Sequence, residues 1–362
     1  MDPLTQAVLG GAIGQAVFHR PLGRRAFVAG ALAGLLPDID VIYQVDQWSA
    51  WRHHRGITHS LWFGPVLGPP LGWALWRYYR WRDRRAGRRD QADPDGRRQL
   101  SALIWVVLLG LFTHPLLDLM TPYGTQLLAP FSDHRFAFNA MAIIDPLYTL
   151  PLLIAGLLGL IWPERRRRAV RAAALALLLS NAFLAYSWWW NHRVEEIADA
   201  QLTANGVRGI EVTAYPTIFQ TFLRRIVAVS DDRVRVGFHT PFNDVPIRWR
   251  GYRPAAHPLI LQFDDSPEGQ LLRWFAMDQV AHIVTATAGG DLLQAYDIRY
   301  GLPGDPRQGL WGIRVLYGGD GAVLEPARRF SIDRGDALND NLARLWWGII
   351  GDVRGGFLVG DD

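Results

Sequence analysis

Leu100-Ser101-Ala102-Leu103-Ile104-Trp105-Val106-Val107-Leu108-Leu109-Gly110-Leu111-Phe112-Thr113-His114-Pro115-Leu116-Leu117-Asp118 is the stretch on which the fold turns. It holds no charge until its last residue, and a bilayer core of about 30 Å needs about 20 helical residues, so it reads as a membrane span. Working outward, further apolar runs occupy Leu4–Phe18, Ala26–Leu36, Leu61–Trp76, Met141–Trp162 and Ala172–Trp190. The runs beginning at Leu100, Met141 and Ala172 are expected to span, and Leu61–Trp76 does so with its flanks. The first two are shorter and suggest a tilted or re-entrant hairpin. Gly10 with Gly14, and Gly30 with Gly34, give each of those two a face of small residues on which helices approach closely. With Met1-Asp2-Pro3 and no basic leader at the start, no signal peptide is expected.

The 362 residues are 49% hydrophobic and 20% charged, which excludes a disordered or collagen-like chain. The mean hydropathy of +0.02 averages two unlike regions. Cysteine is absent, so a disulfide framework, a thiolate zinc site and a cysteine nucleophile are excluded together. All 38 basic residues are Arg. Seventeen of them fall in three loops, at Arg20–Arg25, Arg77–Arg98 and Arg165–Arg171, whereas the alternate loops 37–60 and 118–140 hold Arg52, Arg55 and Arg135. Cytoplasmic loops retain basic residues, so this split puts the alternate loops and everything after Trp190 outside, and no nucleic-acid partner is expected.

Beyond residue 195 the pattern changes. Ile210–Ala214, Arg225–Val229, Arg233–Phe238, Pro258–Phe263, Leu292–Arg299 and Trp311–Tyr317 are short β-prone runs between Gly, Pro and Asp clusters. Asp336–Ile350, with Trp346 and Trp347, is more helical. The expected fold is an α-helical multi-pass membrane bundle over residues 1–192, followed by a mainly β (α+β) extracytoplasmic domain over 193–362.

Ionisable groups at membrane depth are costly and usually functional. Pro37-Asp38-Ile39-Asp40 closes the second run, and two carboxylates one residue apart point the same way in extended chain. His53-His54-Arg55-Gly56-Ile57-Thr58-His59-Ser60 precedes the third run, where a bend at Gly56 is expected to bring His54 and His59 together. His114 and Asp118 share a face if the helix continues past Pro115, which favours a kink there. Plainer readings exist for each: helix caps for Asp38, Asp40, Thr58 and Ser60, and a mutually satisfied pair for His114 and Asp118. Arg135 suits an anionic phosphate or a lipid interface. Asp145 is expected to hydrogen-bond a liganding histidine, with a helix cap as the alternative. His19, His192, His239, His257 and His282 lack metal-like neighbours.

The Arg split, which makes no use of them, puts Asp38, Asp40, His54, His59, His114 and Asp118 all at outer segment ends. Three imidazoles and three carboxylates suit Zn²⁺ first, with Mn²⁺ or Fe²⁺ as alternatives, as one enclosed ion or two open ones.

Met1-Asp2-Pro3-Leu4-Thr5, Leu36-Pro37-Asp38-Ile39-Asp40, His54-Arg55-Gly56-Ile57-Thr58-His59-Ser60, His114-Pro115-Leu116-Leu117-Asp118 and Tyr123-Gly124-Thr125, in that order, resemble the YdjM-like family of bacterial inner-membrane metal-dependent hydrolases. The resemblance covers residues 1–190 and implies a membrane-bound, phospholipase-like enzyme with its metal on those six residues. Family members often carry a histidine after the N-terminal threonine. Here that position is Gln6, a weaker amide donor.

The expected function is hydrolysis of a phosphoester or ester, drawn from membrane lipid or another phosphoester, at the outer face of the cytoplasmic membrane. Asp40 or Asp118 would act as general base and Arg135 would stabilise developing negative charge. The alternative is a non-catalytic scaffold or metal-binding transport component that recruits a protein partner through its β domain. A transporter would place its ionisable residues nearer the bilayer midplane.

Overall fold

The structure is a computed structural model that describes all residues except 44, 89–92, 94–95, 163–165, 244, 332–344, 346 and 350–362. The chain divides into two compact units. Met1–Tyr43, His53–Phe138 and Ile143–Tyr186 form the first, and Gln44–Arg52, Asn139–Ala142 and Ser187–Asp362 the second.

In the first unit, Asp2 caps α1 (Pro3–Leu22) by accepting the Thr5 N–H at 3.0 Å, with Pro3 at the first helical position. Gly23, at φ 59°, turns the chain into α2 (Arg24–Leu35). The two helices meet on the expected glycine faces. A Cβ at Gly30 would lie 2.1 Å from the Gly10 carbonyl oxygen, and one at Gly34 would lie 2.4 Å from that of Gln6. Only residues without side chains permit this approach, and it sets the end of α2 against the start of α1.

A 3-10 turn over Leu36–Ile42, α3 (Ser49–His53) and a second 3-10 turn over Ile57–His59 lead to α4 (Phe63–Arg85). Then come α5 (Arg97–Leu119), α6 (Pro146–Ile161) and α7 (Arg166–Ala204). Leu103 and Val106 of α5 bury against Ala26 and Ala29 of α2 and Tyr79 of α4. Among the described residues, α5 and α7 are long and apolar enough to cross a membrane. The span expected over Met141–Trp162 is shorter, with 16 helical residues. The reason is local: Asp145 Oδ1 accepts the Leu147 N–H at 3.0 Å, and with Pro146 it starts α6 five residues late.

The second unit carries two four-stranded antiparallel sheets, each in sequential order. The first contains β1 (Glu211–Pro216), β2 (Arg224–Ser230), β3 (Arg233–His239) and β4 (Arg250–Tyr252). The second contains β5 (Val280–Thr287), β6 (Gly290–Asp297), β7 (Trp311–Tyr317) and β8 (Val323–Ser331). In the first sheet Val227 sits opposite Thr213 on one side and Val236 on the other. Tyr215, Leu223, Val227, Val236 and Phe238 share a core with Ala281, Tyr296 and Ile298.

Pro258–Phe263 is not a strand. It lies in α8 (Pro258–Asp264), because His257 accepts the Leu259 N–H at 3.2 Å and Pro258 is preset for a first helical turn. A further helix, α9 (Pro267–Phe275), follows. Most of the helix expected over Asp336–Ile350, Trp346 included, lies outside the described residues; Leu345 and Trp347–Ile349 are helical.

Candidate metal centre

Three short pieces of chain converge in the first unit. The 3-10 turn after α2 carries Asp38 and Asp40, the turn before α4 carries His59, and the end of α5 carries His114 and Asp118. α5 runs unbroken through Pro115, so His114 and Asp118 stay one turn apart on a single face.

His59, His114 and Asp118 are completely buried, and Asp38 is half-buried. The Nε2 atoms of His59 and His114 are 2.9 Å apart. Asp38 Oδ1 lies 3.4 Å from the first and 3.5 Å from the second, and Asp118 Oδ2 lies 3.3 and 3.5 Å from the same two atoms. Ligands about 2.0–2.2 Å from a tetrahedral ion are separated by about 3.3–3.6 Å, a range that holds the four nitrogen–oxygen distances, while the two imidazole nitrogens stand closer, at hydrogen-bond distance. Asp118 Oδ2 is buried and accepts no hydrogen bond of good geometry within the protein, although the Arg55 Nε stands 3.1 Å from it, so it keeps a lone pair that a cation can take. The residues therefore fit a divalent ion held by two nitrogens and two oxygens.

The surroundings orient these donors. His114 Nδ1 is 2.6 Å from the Gly34 carbonyl, so it carries the proton and leaves the Nε2 lone pair facing His59. Gln6, in place of the family's histidine, donates its amide at 3.1 Å to Asp118 Oδ1 and at 3.2 Å to the His114 carbonyl. It holds a donor rather than replacing one. The amino group of Met1 also contacts Asp118 Oδ1.

Asp40 and His54 form a second group with His59. Asp40 Oδ2 lies 3.3 Å from His59 Nδ1 and accepts from Thr58 Oγ1 at 2.9 Å, while Asp40 Oδ1 is 2.8 Å from His54 Nδ1. The six expected residues thus separate into four around one point and three around another, with His59 common to both. Burial opposes charge on His59, but the carboxylates of Asp118, Asp38 and Asp40 outweigh it and raise its pKa to about 10. Burial likewise works to raise Asp40, yet the His54 and His59 imidazoles hold its carboxyl well below the usual range.

The bend expected at Gly56 is present, with φ −91° and ψ −127°, and Arg55 just before it is left-handed, with φ 63°. This left-handed backbone lets the Arg55 N–H reach Asp40 Oδ2 at 3.1 Å. The Arg55 guanidinium then sits beside Asp118, with Nε 3.1 Å from Oδ2 and one terminal nitrogen donating at 2.7 Å to Thr121 Oγ1. Arg55 is a counter-ion of the donor group and not one of the expected ligands, and its place inside the His54–His59 motif is the sequence signal that points to it. Arg135 is buried and donates to the Tyr123 and Gly124 carbonyls at 3.1 and 2.8 Å. Arg55 and Arg135 lie over the same Tyr123 ring, at 4.7 and 5.4 Å. Asp145, for which a histidine partner or a helix cap was expected, caps α6 through the Leu147 N–H.

Over 166 residues the chain is 30% identical to an uncharacterized protein, YfhP, of Bacillus subtilis strain 168, a match covering 43% of this chain and 45% of that protein. The chain thus spans less than half the length of the curated relative it matches. No solved structure matches it significantly. The family described as YdjM inner membrane protein matches residues 1–193, which include every residue of this centre, and the chain belongs to that family.

Proposed function

We propose that the protein is a multi-pass inner-membrane, metal-dependent hydrolase whose centre and β domain face the outside, acting on a phosphoester or ester of an amphiphilic, lipid-like substrate. The observation that carries this reading is the convergence of Asp38, His59, His114 and Asp118 beside an oriented Asp40–His54 pair. A Zn²⁺, Mn²⁺ or Fe²⁺ ion held by those four residues would supply Lewis acidity and make coordinated water acidic near neutral pH.

The protein's own groups supply the rest. With Nδ1 held by Asp40, His54 keeps Nε2 for taking a proton from the attacking water and returning it to the leaving group. Asp40 thus acts through His54, and Asp118 as a ligand rather than a base. Arg55 and Arg135 are the proposed stabilisers of developing negative charge. A cavity of about 570 Å³, lined by Leu32, Leu35, Ile42, Asp38 and His54 among others, offers apolar walls to an acyl chain and polar groups to its ester. The Arg split supports the outward orientation.

The test is hydrolysis of phospholipid vesicles and of soluble phosphoesters by the full chain in detergent, with and without chelator. Activity lost on chelation, regained on adding metal, and lowered in kcat by His54→Ala with metal still bound supports the proposal. Full metal occupancy with no hydrolysis of any substrate overturns it and leaves the scaffold reading.

A further inference from the structure

The C-terminal half of α4 carries a pattern that the metal centre does not use. Phe63–Trp76 holds no charge, and Arg77 is the first basic residue of the helix. Trp73, Arg77, Trp81 and Arg85 follow one another at intervals of four residues, so they lie along one ridge. All four are exposed, Trp73 and Trp81 at 49% each. The Arg77 guanidinium lies 5.2 Å over the Trp73 ring, and that of Arg85 lies 4.3 Å over the Trp81 ring. The exposed Tyr78 ring flanks Trp81 at 6.1 Å.

Neighbouring arginines have structural work. Arg25 of α2 is held by both oxygens of Asp83, at 2.5 and 2.7 Å, and lies 4.7 Å over the buried Tyr79 ring. Arg80 lies 5.3 Å over Trp76, whose Nε1 donates at 2.9 Å to the carbonyl of Gly96, the residue before α5. These contacts fasten α4 to α2 and to the start of α5. The ridge differs, because among the described residues neither Arg77 nor Arg85 meets a carboxylate. A guanidinium over a ring still presents its fork of N–H donors, which matches the oxygens of a phosphate bidentately. The exposed rings beside these forks are amphipathic surfaces of the kind that sit at the headgroup level of a bilayer.

We infer that this ridge of α4 is a binding surface for anionic glycerophospholipid, with the lipid phosphodiesters on Arg77 and Arg85 and the glycerol and upper acyl chains against Trp73 and Trp81. Arg77 and Arg85 are eight residues apart, about 12 Å along the helix, so each takes its own phosphodiester. An acidic protein surface would answer the charges but leave Trp73, in the apolar half of the helix, uncovered. A zwitterionic lipid would cover the rings but bring a cation of its own to the arginines. Occupation of the ridge needs no metal, so the inference stands apart from the reading of the metal centre.

The experiment is native mass spectrometry of the full chain released from detergent, with chelator present, titrated with phosphatidylglycerol and separately with phosphatidylcholine. The parent is expected to bind phosphatidylglycerol about fivefold more tightly at each arginine, the scale on which one basic side chain acts against anionic lipid. Arg77→Gln and Arg85→Gln each remove one tightly bound phosphatidylglycerol, and the double variant keeps no preference over phosphatidylcholine. Trp81→Leu, which keeps apolar bulk without the ring, weakens one of the two by about two- to fivefold. Arg167→Gln with Arg168→Gln removes the same charge from exposed positions at the start of α7 and leaves binding unchanged. Inorganic phosphate at matched ionic strength displaces no lipid. Should the double variant at Arg77 and Arg85 aggregate, the two single variants decide. A parent that binds both lipids alike, a preference that survives in both arginine variants, an equal loss in the α7 control, or displacement by free phosphate overturns the inference.

Discussion

His59 and His114 reach the same point from different elements, their Nε2 atoms 2.9 Å apart with two carboxylate oxygens within 3.5 Å of them. Since the Gly34 carbonyl takes the proton of His114 Nδ1, that ring offers a lone pair, not a hydrogen, to its neighbour. A buried group of lone pairs is stable only around a proton or a cation, and four donors at these spacings suit a cation.

Removal of a ligand separates this account from a purely structural cluster. His114→Ala and Asp118→Asn should each abolish stoichiometric metal binding, read by elemental analysis after gel filtration. His282→Ala, in the β unit beside Asp264, should leave it unchanged. Unaltered metal content in His114→Ala would remove that residue from the centre.

Asp40→Asn keeps the shape but weakens the partner of His59 Nδ1. Metal affinity should fall by about 10–100-fold with stoichiometry intact. A competition titration reads the difference, and complete loss of metal would instead make Asp40 a direct ligand.

The glycine contacts of α1 and α2 predict a stability effect. A Cβ at Gly30 would stand 2.1 Å from the Gly10 carbonyl oxygen, so Gly30→Ala should cost about 1–3 kcal/mol or more by overpacking. Gly319→Ala, where an added Cβ meets nothing within 4 Å, is the control. Thermal melting in detergent should lower the midpoint for the first variant and leave the second near the parent value.

The proposed topology, argued from the Arg distribution, makes a separate prediction. A reporter fused after Arg88 should be cytoplasmic and one fused after Asp362 extracytoplasmic. Both on one side would detach the centre from the outer face.

Much of this was legible in the sequence because the signals were local. The glycine spacing in α1 and α2, the apolar run of α5 and the short β-prone runs that became β1, β2, β3, β6 and β7 are each carried by neighbouring residues. Pro258–Phe263 misled because its apolar content suits either element, and the His257-Pro258 cap decided for helix. β5 and β8 escaped notice because much of each lies at the surface, and β8 carries Glu325, Arg328 and Arg329. At the centre, the ligand types stood in the motifs. The left-handed Arg55, the Arg55 guanidinium beside Asp118 and the Gly34 carbonyl behind His114 depend on contacts between distant residues, which residue spacing does not encode.

The central claim is tested most directly by the divalent metal content of the full-length protein, purified in detergent without chelator, beside that of His59→Ala. The account predicts at least one tightly held ion per chain in the parent and none in the variant, since His59 belongs to both donor groups. A folded parent protein that retains no divalent ion after incubation with Zn²⁺, Mn²⁺ or Fe²⁺, or a His59→Ala variant that retains as much as the parent, would contradict it.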